Sequence, residues 1–114
     1  MVILDTSAVI VRWKNKEYIT ENITVVTMIE FPRILNYEKF RGSVYFPSLE
    51  EYKLAYNLQK ELYKLGKPKA FADLVVAAIA INRGEKIVTK DKDFLEIAEA
   101  AKKLSKTLHV ELID

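Results

Sequence analysis

Short apolar runs rich in β-branched residues alternate along the chain with longer segments whose apolar positions recur at helical spacing. Val2–Leu4, Ile23–Val26, Val44–Phe46, Ile87–Thr89 and Leu108–Ile113 read as strands. A first helix is predicted over Ser7–Trp13. Thr27, with Glu30 three residues on, has the form of a capping box leading into a helix around Met28–Phe40. Pro32 inside that stretch forfeits the bond to the Met28 carbonyl, so the helix should start late or carry an irregular first turn. Ser48 with Glu51 is a second capping box, and its helix runs to Leu65 and stops at Gly66. In it, Leu49, Tyr52, Tyr56, Leu62 and Leu65 fall near helical spacing. Phe71–Arg83 is apolar nearly all round, which predicts a central buried helix ended by Gly84. Asp93 with Glu96 forms a third capping box, for a helix to about Leu104.

Strands alternating with helices predict an α/β fold, with a mostly parallel sheet of four to five strands covered on both faces. No linker or repeat interrupts residues 1–114, which read as a single domain. In parallel sheets, ligands gather outside the carboxyl ends of the strands. Asp5, Glu30 and Asp91 each follow a predicted strand, and Asp73 opens the apolar helix. Each acid has a local explanation. Asp5 can cap the first helix, Glu30 completes a capping box, Asp73 suits the helix dipole, and Asp93 is a good cap. If Asp93 caps, Asp91 has no capping duty.

Taken jointly, the acids are harder to explain that way. Two charges about 4 Å apart repel by roughly 4 kcal/mol at an effective dielectric near 20, so converging carboxylates need protons or cations. Oxygen ligands favour Mg²⁺ or Mn²⁺ over zinc. There is no cysteine, and the one histidine, His109, sits in the last strand as a packed or surface residue. Carboxylate-held Mg²⁺ serves phosphodiester hydrolysis by generating hydroxide and stabilising charge on the phosphoryl oxygens. No Ser-His-Asp or Cys-His constellation and no glycine-rich phosphate loop competes with that reading.

Composition adds limits. With 18 basic and 16 acidic residues the net charge is +2, too balanced to announce nucleic-acid binding. The basic residues cluster in "RWKNK" (12–16), "KLGKPK" (64–69) and "TKDK" (89–92). The absence of cysteine suits a reducing cytoplasm. Met1 passes straight into a strand-like run, unlike a signal peptide, and the longest apolar run, Leu74–Ile81, is too short to span a bilayer.

"ILDTSAVI" at the start, a glutamate after the second strand, "ADLVVAAIAINRG" and "IVTKDKDF" resemble the four motifs of PIN-domain ribonucleases. Within that family the chain is similar to the VapC-type toxins of VapBC toxin–antitoxin pairs. The resemblance implies a three-layer α/β/α domain with an acidic pocket for Mg²⁺ or Mn²⁺. By motif position, Asp5, Glu30, Asp73 and Asp91 would be the catalytic acids. Asp5 and Asp73 would be the primary metal ligands, Glu30 would assist the metal or the attacking water, and Asp91 would complete the site. Asp93 matches a secondary acidic position, and Thr6, Ser7 and Thr89 match polar residues that orient the acids.

Lys90 and Lys92, beside the acids, are the expected RNA-phosphate contacts, with Arg12, Lys14 and Lys67 further out. Trp13 reads as a core or interface residue ahead of a base-stacking platform. The implied activity is RNA hydrolysis by a toxin held silent by a protein antitoxin, with a homodimer as a further partner. Tyr37, Phe40, Tyr52 and Tyr56 are candidates to line an antitoxin groove. Pro32 and a short stretch between Glu30 and Asp73 depart from the family pattern, in the region that commonly forms dimers and holds an antitoxin. A housekeeping RNA-processing nuclease and a non-catalytic RNA- or protein-binding module on the same fold stay open as alternatives.

Overall fold

The computed structural model describes residues 1–114. β1 (Val2–Leu4) is central, with β4 (Lys86–Thr89) and then β5 (Val110–Leu112) paired on one side of it. On its other side a parallel bridge from Ile3 to Asn22 leads into β2 (Ile23–Thr24), which pairs with β3 (Val44–Tyr45). The spatial order is β3-β2-β1-β4-β5, parallel throughout.

Alternation along the strands sends side chains to two faces. Ile3 and Ile87 are fully buried under α3 (Leu49–Lys64), α4 (Phe71–Arg83) and α5 (Asp93–Lys103). Leu4, with Val2 and Val88 beside it, packs on the opposite face against α1 (Thr6–Lys14) and Ile34. This is the three-layer arrangement expected above. Within it α4 is the most enclosed element, with Leu74 to Ala80 buried without interruption. Burying each of its large aliphatic side chains contributes about 1.5–3 kcal/mol, which fixes the helix, and Asp73 at its start, against the sheet. No helix is long and apolar enough to cross a membrane.

The region after β2 differs from expectation. The strand ends at Thr24, whose side chain accepts the Val26 N–H and caps α2 (Val25–Glu30). Thr27 is therefore not a cap: it is buried mid-helix, and Glu30 is the last helical residue. The helix expected over Met28–Phe40 stops before Pro32, which begins a 3-10 turn over Pro32–Asn36. Smaller differences are at the edges: β3 omits Phe46, which is exposed, and β5 is confined to Val110–Leu112. The Ser48–Glu51 capping box is present in both halves, at 3.2 and 2.8 Å.

Gly42 is required by a close approach. A Cβ there would lie 1.8 Å from the Glu21 carbonyl oxygen, where the chain returns alongside residues 19–23 to form β3.

Candidate metal centre

Two strand ends and four helix ends meet at one rim. Asp5 leaves β1 and caps α1, its Oδ1 accepting both the Ser7 N–H and the Ser7 hydroxyl at 2.7 Å. Its Oδ2 accepts from the Thr89 hydroxyl at 2.7 Å, so the buried end of β4 fixes the carboxylate's other oxygen. Thr89 Oγ1 in turn accepts the Asp91 N–H at 2.9 Å, and Ser7 Oγ accepts the Lys90 N–H at 3.0 Å. Both turns are thus tied to the same pair of hydroxyls. Glu30 arrives on the last residue of α2, not directly off a strand, and its Oε1 accepts the Thr6 hydroxyl at 2.6 Å. Thr6 has one proton and gives it to Glu30, so the 2.9 Å bond between Thr6 and Thr27 hydroxyls must be donated by Thr27.

Asp73 lies in the first turn of α4, which has no side-chain cap. Oxygens of Asp73, Asp91 and Asp93 all come within 4.8 Å of one another. Burial, followed by the charges of Asp91, Asp5, Asp93 and Glu30, pushes the Asp73 carboxyl up to about 6. Four acids thus act on Asp73, and hydroxyl and amide donors hold the carboxylates of Asp5, Glu30 and Asp91 in place. That donor set is the kind that binds a hard, oxygen-seeking dication such as Mg²⁺ or Mn²⁺.

Asp93 does not take the capping duty expected of it. The N-cap position of α5 is Lys92, with no side-chain cap, and Asp93 is the first helical residue. Asp91 Oδ1 accepts the Asp93 N–H at 2.8 Å, so Asp91 has a turn-forming bond after all. Glu96 does not close a capping box: it pairs with Lys69, and with Lys67 at 3.0 Å. Lys69, which the sequence did not single out, also reaches Asp93 Oδ1 at 3.3 Å. The hydrogen bond that Lys69 donates to Glu96 holds its ammonium above the ordinary lysine range.

The basic residues divide. Lys90 and Lys14 are exposed and share a groove of about 370 Å³ along α1 with Ser7, Ile10 and Asn15. Lys92 is exposed beside Asp91. Arg12 is occupied by Glu21, by Glu17 at 3.6 Å and by the Tyr18 carbonyl at 2.8 Å. Trp13 packs edge-on to Phe31 at 5.2 Å, with Arg33 across its face at 5.5 Å. His109 is on the surface. The four aromatic residues expected in one groove separate: Tyr37 and Phe40 pack on the α1 face of the sheet, while Tyr52 and Tyr56 are exposed on α3 beside Phe71.

No family model matches this sequence, and no curated protein matches it. Solved structures do. The chain is similar to one in the crystal structure of DNA-bound VapBC from Salmonella typhimurium, with TM-score 0.76 and 19% identity over 96% of both chains. It is also similar to VapBC-1 from nontypeable Haemophilus influenzae, with TM-score 0.68 and 16% identity over 98% of both. A third is VapBC2 from Rickettsia felis bound to a promoter DNA fragment, with TM-score 0.67 and 18% identity over the full length of both. At these identities the likeness establishes the fold.

Proposed function

We propose that this chain is a metal-dependent endoribonuclease and the toxin of a toxin–antitoxin pair. The observation that carries the reading is the gathering of Asp5, Glu30 and Asp91 around Asp73 at one rim, where burial and then their charges raise the Asp73 carboxyl to about 6. A fold shared with chains of VapBC complexes supports the same reading.

In this reading Asp5, Asp73 and Asp91 hold Mg²⁺ or Mn²⁺. A dication bound there supplies a more acidic water and neutralises charge on the phosphoryl oxygens. The Thr89 and Ser7 hydroxyls pin both oxygens of Asp5, which reduces the reorganisation needed when charge shifts. Glu30, exposed and steered by Thr6 through Oε1, takes the proton of the attacking water. The water oxygen bonds to phosphorus as the bond from phosphorus to the leaving sugar oxygen breaks, and that oxygen takes up a proton from solvent. Lys90 and Lys14 receive the flanking phosphates along the α1 groove, and Lys92, exposed beside Asp91, is a further phosphate contact. Arg12 and Lys67, held in ion pairs, are not assigned that role.

The antitoxin would engage apolar surface. Tyr52, Tyr56, Phe71 and Leu74 line a groove of about 290 Å³, with Tyr52 stacked on Phe71 at 6.4 Å. The test is incubation of the purified chain with mixed RNA, with added Mg²⁺ or Mn²⁺ and with chelator. Cleavage that stops on chelation and returns with excess metal is expected. Cleavage indifferent to chelator contradicts the metal role, and folded protein that cuts no RNA favours a binding module.

A further inference from the structure

Lys69 is the one cation built into the acidic rim. Its side chain is only 10% exposed, whereas that of Asp93, which it contacts at 3.3 Å, is 52% exposed. The backbone that delivers it is clamped from α3: Gln59 Nε2 donates to the Lys69 carbonyl at 2.8 Å, and the Lys69 N–H donates to Gln59 Oε1 at 3.0 Å. Glu96, one turn into α5, also holds the ammonium. A long, flexible side chain is thereby fixed against one edge of the carboxylate cluster.

Asp93 is the acid on that edge, and its oxygen is close enough to those of Asp73 and Asp91 to join them around an ion. Two-metal sites place their ions about 3.5–4 Å apart, with carboxylates shared between them. The Lys69 ammonium lies 3.3 Å from Asp93 Oδ1, so a dication placed on that oxygen would face its positive charge.

Building on the reading of this rim as a cation site, we infer that Lys69 is a positioning residue that fills the second-cation place. It withdraws Asp93 from the metal and limits the centre to one divalent ion, held by Asp5, Asp73 and Asp91.

The test is manganese binding to the full chain without RNA, followed by the loss of the free-ion electron paramagnetic resonance signal, with circular dichroism confirming that each variant is folded. The wild-type chain is expected to bind one ion, and Lys69→Met two. Lys69→Arg, which keeps the charge, should bind one. Because Lys69→Met also frees Glu96, the double variant Lys69→Met/Glu96→Gln gives a second reading without the stranded carboxylate, and it too is expected to bind two ions. Two ions in the wild-type chain, or one ion in folded Lys69→Met and in folded Lys69→Met/Glu96→Gln, would each overturn the inference and leave the metal reading standing. No manganese bound by the wild-type chain would overturn both.

Discussion

Asp73 carries the electrostatic consequence of gathering five carboxylates at one end of a sheet. Its carboxyl is moved from 3.8 to about 6, mainly by burial and then by its neighbours' charges. The folded protein thus binds that proton more tightly than the unfolded chain does. The favourable contribution is complete below 3.8 and is lost as pH rises through about 6. Metal-free protein should therefore lose stability across that window, by up to about 3 kcal/mol from this group. Asp73→Asn should remove the loss, leaving a metal-free variant about 1–3 kcal/mol more stable than wild type at neutral pH. Urea unfolding of both proteins at several pH values in chelator measures the difference. An Asn variant no more stable than wild type at neutral pH would mean that Asp73 is not under this strain.

The polar frame of the site was legible at this scale where its bonds are local. Asp5 with Ser7 lies within "LDTS", and Asp91 bonds back to Thr89 inside "TKD". The Thr27–Thr6 bond was hidden, because "TMIE" imitates a capping box and nothing nearby reveals that Thr27 is buried. Lys69 was hidden for a similar reason. Within "KLGKPK" it looks like a surface lysine, and only the packing of the segment before α4 against Gln59 and α5 sets it apart.

Among the elements, α3 and α4 are joined by a charged clamp at the end of the fold away from Asp73. Glu51 is 1% exposed and accepts from Arg83 Nε and Nη2 at 2.9 Å and from Asn82 at 3.0 Å. Burial alone would raise its carboxyl, but the Arg83, Ser48 and Asn82 hydrogen bonds prevail and hold it at about 2. Its stabilising contribution is present above 4.5 and disappears as pH falls through about 2. Arg83→Met strands the buried carboxylate and should cost about 3 kcal/mol by denaturant unfolding. A cost within error of zero would show the clamp to be incidental.

Gly42→Ala tests the other half of the sheet. With the Glu21 carbonyl in the way, β3 must shift, at a cost of about 1–3 kcal/mol or more. A variant as stable as wild type would mean that this edge yields without strain. Most elements could be read from periodicity, and α4 in particular from its unbroken apolar run. The β2–α2 junction could not, since two Thr residues three apart offer competing starts. Pro32 did signal a break, but it ends the helix before itself and does not delay its beginning.

For the whole molecule, net charge says little and placement says much. Five acids sit on one rim, lysines flank a groove along α1, and exposed aromatic side chains lie on α3. Alternation of strands and helices foretold that carboxyl-end loops would meet, and therefore that distant acids would. It could not foretell the short strands or the segregation of Tyr37 and Phe40 from Tyr52 and Tyr56, which depends on the hand and register of the whole sheet. If the rim binds its ion in the folded state alone, Mn²⁺ at about a hundred times its dissociation constant should add about 2.7 kcal/mol to stability. Unfolding at neutral pH should show that gain in wild type and not in Asp73→Asn. An equal gain in both would place the ion elsewhere.

The most direct measurement is RNA cleavage by wild type and Asp73→Asn, purified identically and assayed side by side in Mn²⁺, with folding of the variant verified. Cleavage by the wild-type chain and a loss of at least about a hundredfold in the variant is expected, since positioning and charge stabilisation at a metal centre are worth that much or more. Equal cleavage by both would contradict the account, because the activity would then not arise at the acidic rim.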